Sequence, residues 1–192
     1  MYTCLIASPS MQSAEKIQAF LLQEINATFL IARSGSEARR LAIGRTVDYC
    51  LINTPLSDEF GLELAIDLCR DGFSQALLMV SNELTAEYSE KARPYGALVI
   101  GKPIQTPVLQ AAFHWMIATQ SRLLSLHEKN AKLQKQMNDL RIISHAKCLL
   151  VALAGMNEEQ AHKHIEHQAM DHRISRSEVA RKIIHRFELE QE

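Results

Sequence analysis

An alternation of two periodicities constrains this chain more than any other feature. Short apolar runs rich in Leu, Ile and Val occur at 3–7 (TCLIA), 28–32 (TFLIA), 48–53 (DYCLIN), 75–81 (QALLMVS) and 97–101 (ALVIG). Each has the length of a strand. Between them apolar residues recur at helical spacing: Ala14, Ile17, Phe20 and Leu21; Ala38, Leu41 and Ala42; Leu62, Leu64, Ala65 and Leu68; then the segment from Thr85 to Arg93. Five strands with interleaved helices predict an α/β domain, a parallel doubly wound sheet covered on both faces. Ser57 or Asp58 is expected to cap the third helix, and Thr85 lies near the start of the fourth. Ligands of such a sheet bind beyond the carboxyl ends of its strands. That edge is expected to carry Ser8, Asn53, Ser81 and Lys102.

From Thr106 the helical pattern runs on with no glycine before Gly155 and no proline after Pro107. This predicts a helix much longer than a globular domain needs. Leu123, Asn130 and Met137 repeat every seven residues, and so do Leu126, Leu133 and Leu140, offset by three. The two series form an a/d seam of about three heptads. Its flanks (HEKNAKLQKQMND) are too polar to be buried all round, so the stripe needs a partner helix. A second copy of the chain is favoured over a helix of the same chain. A lone amide at the a position, Asn130, is best satisfied by its own symmetry mate, which fixes register in a parallel homodimer.

Beyond the seam, Gly155 closes the long helix, NEEQ (157–160) has the capping-box pattern that opens the next, and SRSE (175–178) repeats it. Three helical faces follow: Ile142, Ala146, Leu149, Leu150 and Leu153; Ala161, Ile165 and Ala169; Val179, Ala180, Ile183 and Ile184. They predict one small shared core in which alanines permit close approach. The expected organisation is an α/β domain over 1–118, a dimerisation helix over 119–141 and a three-helix domain over 142–192.

With 192 residues, 47% hydrophobic and 22% charged, the chain has the composition of a soluble protein with one substantial core and a smaller module. No apolar run of about 18 residues and no basic-then-apolar leader is visible, so no membrane association is expected and the cytoplasm is the expected compartment. Cys4, Cys50, Cys69 and Cys148 lie far apart without ligand spacing and read as small buried hydrophobes. A net charge of -1 gives no global basic field. Residues 142–187, however, hold seven Lys or Arg against five acids, and six of the eight histidines. Arg173 and Arg176 flank a turn beside a helix start, where backbone amides can also meet phosphate. His162, His164 and His167 place at most one pair on a helix face, so neither metal nor other cofactor is expected. No nucleophile, base and oxyanion arrangement can be assembled, which argues against an enzyme.

Residues 1 to about 120 resemble the receiver domain of bacterial two-component response regulators, a flavodoxin-like fold. That family places an acidic pair after the first strand, an acceptor Asp after the third, Ser or Thr after the fourth, and Lys-Pro after the fifth. Ser81, Lys102 and Pro103 fit; Ser8 and Pro9 stand where the acids belong, and Asn53 where the acceptor belongs. Magnesium needs hard oxygen ligands, and an amide cannot replace a carboxylate as nucleophile. The resemblance thus implies a receiver with a degenerate phosphorylation pocket. The last helices resemble the ANTAR domain, an RNA-binding antiterminator module, through HAK (145–147), LL (149–150), Gly155, EEQAH (158–162), QAM (168–170) and VARKII (179–184). Cys148, Val151 and Glu166 depart from its usual pattern.

The order of receiver, long helix and ANTAR domain is similar to that of the amidase-operon and nitrate-regulation antiterminators. It implies a dimeric transcription antiterminator that binds hairpin loops in leader RNA, with Lys147, Arg173, Arg176 and Arg181 as candidate contacts. A ligand-sensing regulatory protein or a sensor is the partner it implies. The competing expectations are a phosphorylation-switched regulator of the same architecture and a protein-interaction scaffold that binds no RNA.

Overall fold

The computed structural model describes residues 1–70 and 72–189, so the last three positions of the expected C-terminal domain lie outside the described residues. Two compact units divide the chain, Met1–Leu126 and His127–Glu192.

The first unit is built on β1 (Tyr2–Ala7), β2 (Ala27–Ala32), β3 (Tyr49–Asn53), β4 (Gln75–Ser81) and β5 (Leu98–Lys102). They form one parallel sheet in the order β2-β1-β3-β4-β5. Four helices connect them: α1 (Met11–Glu24), α2 (Gly35–Ala42), α3 (Leu62–Cys69) and α4 (Thr85–Ala92). Alternate strand residues feed two cores. Cys4, Ile6, Leu51, Leu77 and Met79 face Ile17 and Leu21 of α1. Leu5, Ala7, Ile52, Leu78 and Val80 face the other side, with Ala38, Leu64 and Ala92 of α2, α3 and α4. Each fully buried Leu or Ile contributes about 1.5–3 kcal/mol relative to exposure, which is why the sheet tolerates so few polar residues.

Local signals set the helix starts. The Ser10 hydroxyl accepts from the Ser13 amide at 3.3 Å, and that of Ser34 from Glu37 at 3.0 Å. The third helix differs from expectation: its N-cap is Gly61 in the left-handed region (φ 82°), and no side chain caps it. A Cβ at Gly61 would lie 2.7 Å from Ile52 Cγ2, so both backbone angle and space demand glycine. Asp58 turns instead to α2, accepting the Gly35 amide at 2.7 Å and the Ser36 amide at 3.0 Å. Free amides at a helix start attract a carboxylate more strongly than a cap position its loop does not reach. Cys148 also departs from expectation: it is exposed, whereas Cys4, Cys50 and Cys69 are buried. Burial pushes the Cys4 thiol up to about 12 and the Cys69 thiol to about 11.

The long helix is continuous as α5 (Thr106–Ala154). Near its start, Phe113 and Met116 are fully buried in the first unit's α1-side core. Near its end, Ala146 and Leu150 enter the second unit's core with Ala161, Ile165 and Ala169 of α6 (Glu158–His172) and Val179 and Ala180 of α7 (Arg176–Leu189). Leu153, in the final turn, is 50% exposed and lies outside that core. Gly155 (φ 68°) ends α5. Asn157 and Gln160 form a reciprocal capping box on α6, and Ser175 and Glu178 do the same at the start of α7.

Candidate functional site

The order of the sheet reverses between β1 and β3, which is where doubly wound sheets hold their ligands. Both strands end there in neutral residues. Ser8 is completely buried; its backbone amide donates to the Ala32 carbonyl and its hydroxyl to the Ser10 carbonyl at 3.0 Å. The same hydroxyl accepts the Asn53 side-chain amide at 3.0 Å. Pro9 is exposed. Lys102, opposite Ser81 in the β4–β5 register, donates its ammonium to the Thr54 carbonyl, and burial lowers its pKa. Ser81 is exposed, with its carbonyl accepting from the Thr85 hydroxyl at 3.3 Å. The Thr54–Pro55 and Lys102–Pro103 peptides are both cis. Apart from Lys102, the edge residues named from the sequence are uncharged.

Asp58 takes no part in this edge. Two backbone amides hold its carboxylate down to about 2. Beside it, Glu59 meets Arg39 at 2.9 Å, and Arg39 meets Asp67 at 3.0 Å. These bonds tie the loop after β3 to α2 and α3.

On α5 the heptad residues share one stripe. Leu126, Leu133, Met137 and Leu140 are 52%, 58%, 50% and 67% exposed, Asn130 is exposed and Leu123 half-buried. Among the described residues these four apolar side chains keep half or more of their surface in solvent, an unusual display for an isolated helix.

The second unit carries the basic candidates, and its tertiary contacts neutralise most of them. Lys147 on α5 meets Glu158 at 3.0 Å, Arg176 meets Glu166 at 2.9 Å, and Arg181 meets Asp139 at 3.6 Å. Glu166 also receives His162 at 3.5 Å. Arg173 makes no ion pair among the described residues; it is the C-cap of α6 in the left-handed conformation (φ 51°). The acid partners of Lys147, Arg176 and Arg181 were missed from the sequence, since each of these three pairs joins two different helices rather than one helical turn. Between the end of α6 and the start of α7 lies an open cleft of about 530 Å³, lined by Glu166, Ala169, Met170, Ile174, Ser175 and Arg176. Met170 is 75% exposed at its rim. Among the described residues no three His, Cys, Asp or Glu groups gather as for a metal ion, and no helix is long and apolar enough to cross a membrane.

A five-stranded parallel sheet, a long helix and two further helices follow one another along the chain. Residues 131–184 match the ANTAR domain family. The chain is 24% identical over 154 residues to the transcriptional regulatory protein PdtaR of Mycobacterium tuberculosis, covering 80% of this chain and 75% of that protein. Its first unit shares a fold with the signal receiver domain of an HD domain-containing protein from Pseudomonas fluorescens Pf-5, with TM-score 0.54 and 18% identity over 66% of this chain and 92% of that one. The response regulator receiver domain from Clostridium thermocellum gives 0.55 and 15%, over 66% and 99%. These likenesses give an ANTAR-like segment over 131–184 and a first unit with the fold of a receiver domain.

Proposed function

We propose that the chain is an RNA-binding transcription antiterminator whose dimer captures hairpin loops in a nascent leader transcript and so prevents a terminator from forming. The observation that carries this reading is the ANTAR match over 131–184. Single-stranded loop bases are what proteins read most readily in RNA, because A-form grooves hide sequence. The cleft beside Met170 and Ile174 offers such a base an apolar floor, and Arg173, without an ion pair among the described residues, offers a cation at the same turn. Lys147, Arg176 and Arg181 would reach phosphate by exchanging their carboxylate partners for it.

In this reading residues 1–118 are a receiver-like input domain, 119–141 a parallel dimer helix closed by the Leu123–Leu140 seam, and 142–192 the RNA-binding domain. The neutral Ser8–Asn53 bond and the engaged Lys102 favour input from a protein partner over input by phosphate. A ligand-sensing protein that sequesters the dimer is the partner of this kind. The chemistry is binding rather than catalysis.

The test is a gel shift of the full chain with hairpins from the leader of its own operon. The expected result is nanomolar-range retention that Lys147→Ala with Arg173→Ala weakens, with a shallower salt slope. Unchanged affinity and slope in that double variant would reject the site, and failure to retain any RNA at low salt would reject the function.

A further inference from the structure

A cavity of about 380 Å³ opens beside Asn53, between α1 and the start of α5, wholly within the first unit. Ile17, Phe20, Met79, Ile104 and Leu109 give it an apolar floor and walls. Those walls are fixed before any ligand arrives. Ile17 and Met79 are 8% and 2% exposed, and the Phe20 and Phe113 rings meet edge-on at 6.2 Å. Further along, Glu24 of α1 accepts from Gln110 at 2.8 Å and pairs with His114 at 2.7 Å, both on α5. The remaining lining groups are Ser13, Lys16, Asn53 and Thr106. A preformed apolar cavity with a few convergent polar groups is what small-molecule sites look like, and its volume falls in their usual range.

The charge of the site selects among ligands. Lys16 is exposed, makes no ion pair among the described residues, and is the sole charged residue in the lining. Lys102, by contrast, already donates to the Thr54 carbonyl. At the inner end stand Asn53 and, behind it, Ser8, joined by their neutral hydrogen bond. Carboxylates at those two positions would repel an anion from the cavity; an amide and a hydroxyl do not. Inorganic phosphate would leave the apolar walls unfilled, whereas 380 Å³ holds roughly a dozen non-hydrogen atoms at the packing of a liquid.

We propose that this cavity binds a small carboxylic acid with an apolar ring or branched chain. Its body packs on Ile17, Phe20, Met79 and Leu109, and its carboxylate faces Lys16 with the hydroxyls of Ser13 and Thr106. The receiver's switch point is then a site for an organic anion, independent of whether the C-terminal unit binds RNA.

The test is a titration of the full chain, labelled at Ile and Met methyls, with phenylacetate and, separately, phenylacetamide and inorganic phosphate, followed by NMR. Saturable shifts confined to Ile17, Met79 and Ile104 are expected with phenylacetate. Lys16→Met, an exposed position whose replacement leaves the core intact, is expected to weaken phenylacetate about tenfold and to leave the weaker phenylacetamide unaffected. Three results would overturn the proposal: no saturable shift below about 10 mM phenylacetate, shifts centred elsewhere on the chain, or equal phenylacetate affinity in Lys16→Met. Phosphate shifting the same methyls as strongly as phenylacetate would also overturn the assigned ligand class.

Discussion

Asn53 donates its side-chain amide to the buried hydroxyl of Ser8 across 3.0 Å, joining the ends of the two strands between which the sheet order reverses. Phosphoryl chemistry at this point would require a carboxylate nucleophile and further carboxylates to hold magnesium. One substitution cannot supply both. Incubated with acetyl phosphate and magnesium, the natural chain and Asn53→Asp are each expected to remain unmodified by intact mass. A stoichiometric acyl phosphate on either would show that the pocket retains its chemistry.

The Asp58 carboxylate, held at about 2 by the Gly35 and Ser36 amides, ionises well below its ordinary value of 3.8. A depressed folded-state pKa means stability that is present above the unfolded value and is lost as pH falls toward the folded one. The window therefore runs from about pH 4 down to about pH 2. Thermal midpoints across that range are expected to fall more steeply for the natural chain than for Asp58→Asn, with the two curves converging at the acid end. Parallel curves would mean that the carboxylate does not act through its charge.

The exposed stripe on α5 makes a quantitative demand on any dimer. A buried leucine contributes roughly 1.5–3 kcal/mol, and a two-fold interface counts each substitution twice. Leu133→Asp is therefore expected to shift sedimentation at micromolar concentration from dimer to monomer. If the seam pairs as proposed, Asn130→Leu should tighten association while admitting higher oligomers, since a lone polar a position selects a two-stranded register. A monomeric natural chain would remove the seam from the account.

Glu166 holds both Arg176 (2.9 Å) and His162 (3.5 Å). If Arg176 contacts RNA phosphate, Glu166→Gln releases it from competition. Fluorescence anisotropy with a leader hairpin is expected to show a few-fold gain in affinity and a salt slope steeper by about 0.7–0.9, one added phosphate contact. A loss of affinity would place Glu166 itself among the contacts.

Much of the fold was legible because buried parallel strands and amphipathic helices write their periods into the sequence. The fourth strand occupies Gln75–Ser81 as its apolar run implies, and Asn157 with Gln160 forms the box that NEEQ announces. What escaped was whatever depends on partners remote in the chain. Asp58 sits where a local cap is plausible, yet the amides it serves are 22 and 23 residues away. The acids facing Lys147 and Arg176 lie 11 and 10 residues off, across helix junctions whose geometry no periodicity encodes. The cavity at Asn53 was equally illegible, since its lining comes from α1, β3, β4 and the segment entering α5.

The carboxylates facing Lys147, Arg176 and Arg181 carry a consequence for selectivity. In the proposed RNA complex a polyanion would have to displace these three carboxylates, so a stray stretch of nucleic acid would gain little from one or two phosphates. Only a ligand that replaces several of them together recovers what it displaces. On the proposed reading the acids would act as a threshold, making a surface of nearly balanced charge ignore the abundant and answer to the well shaped.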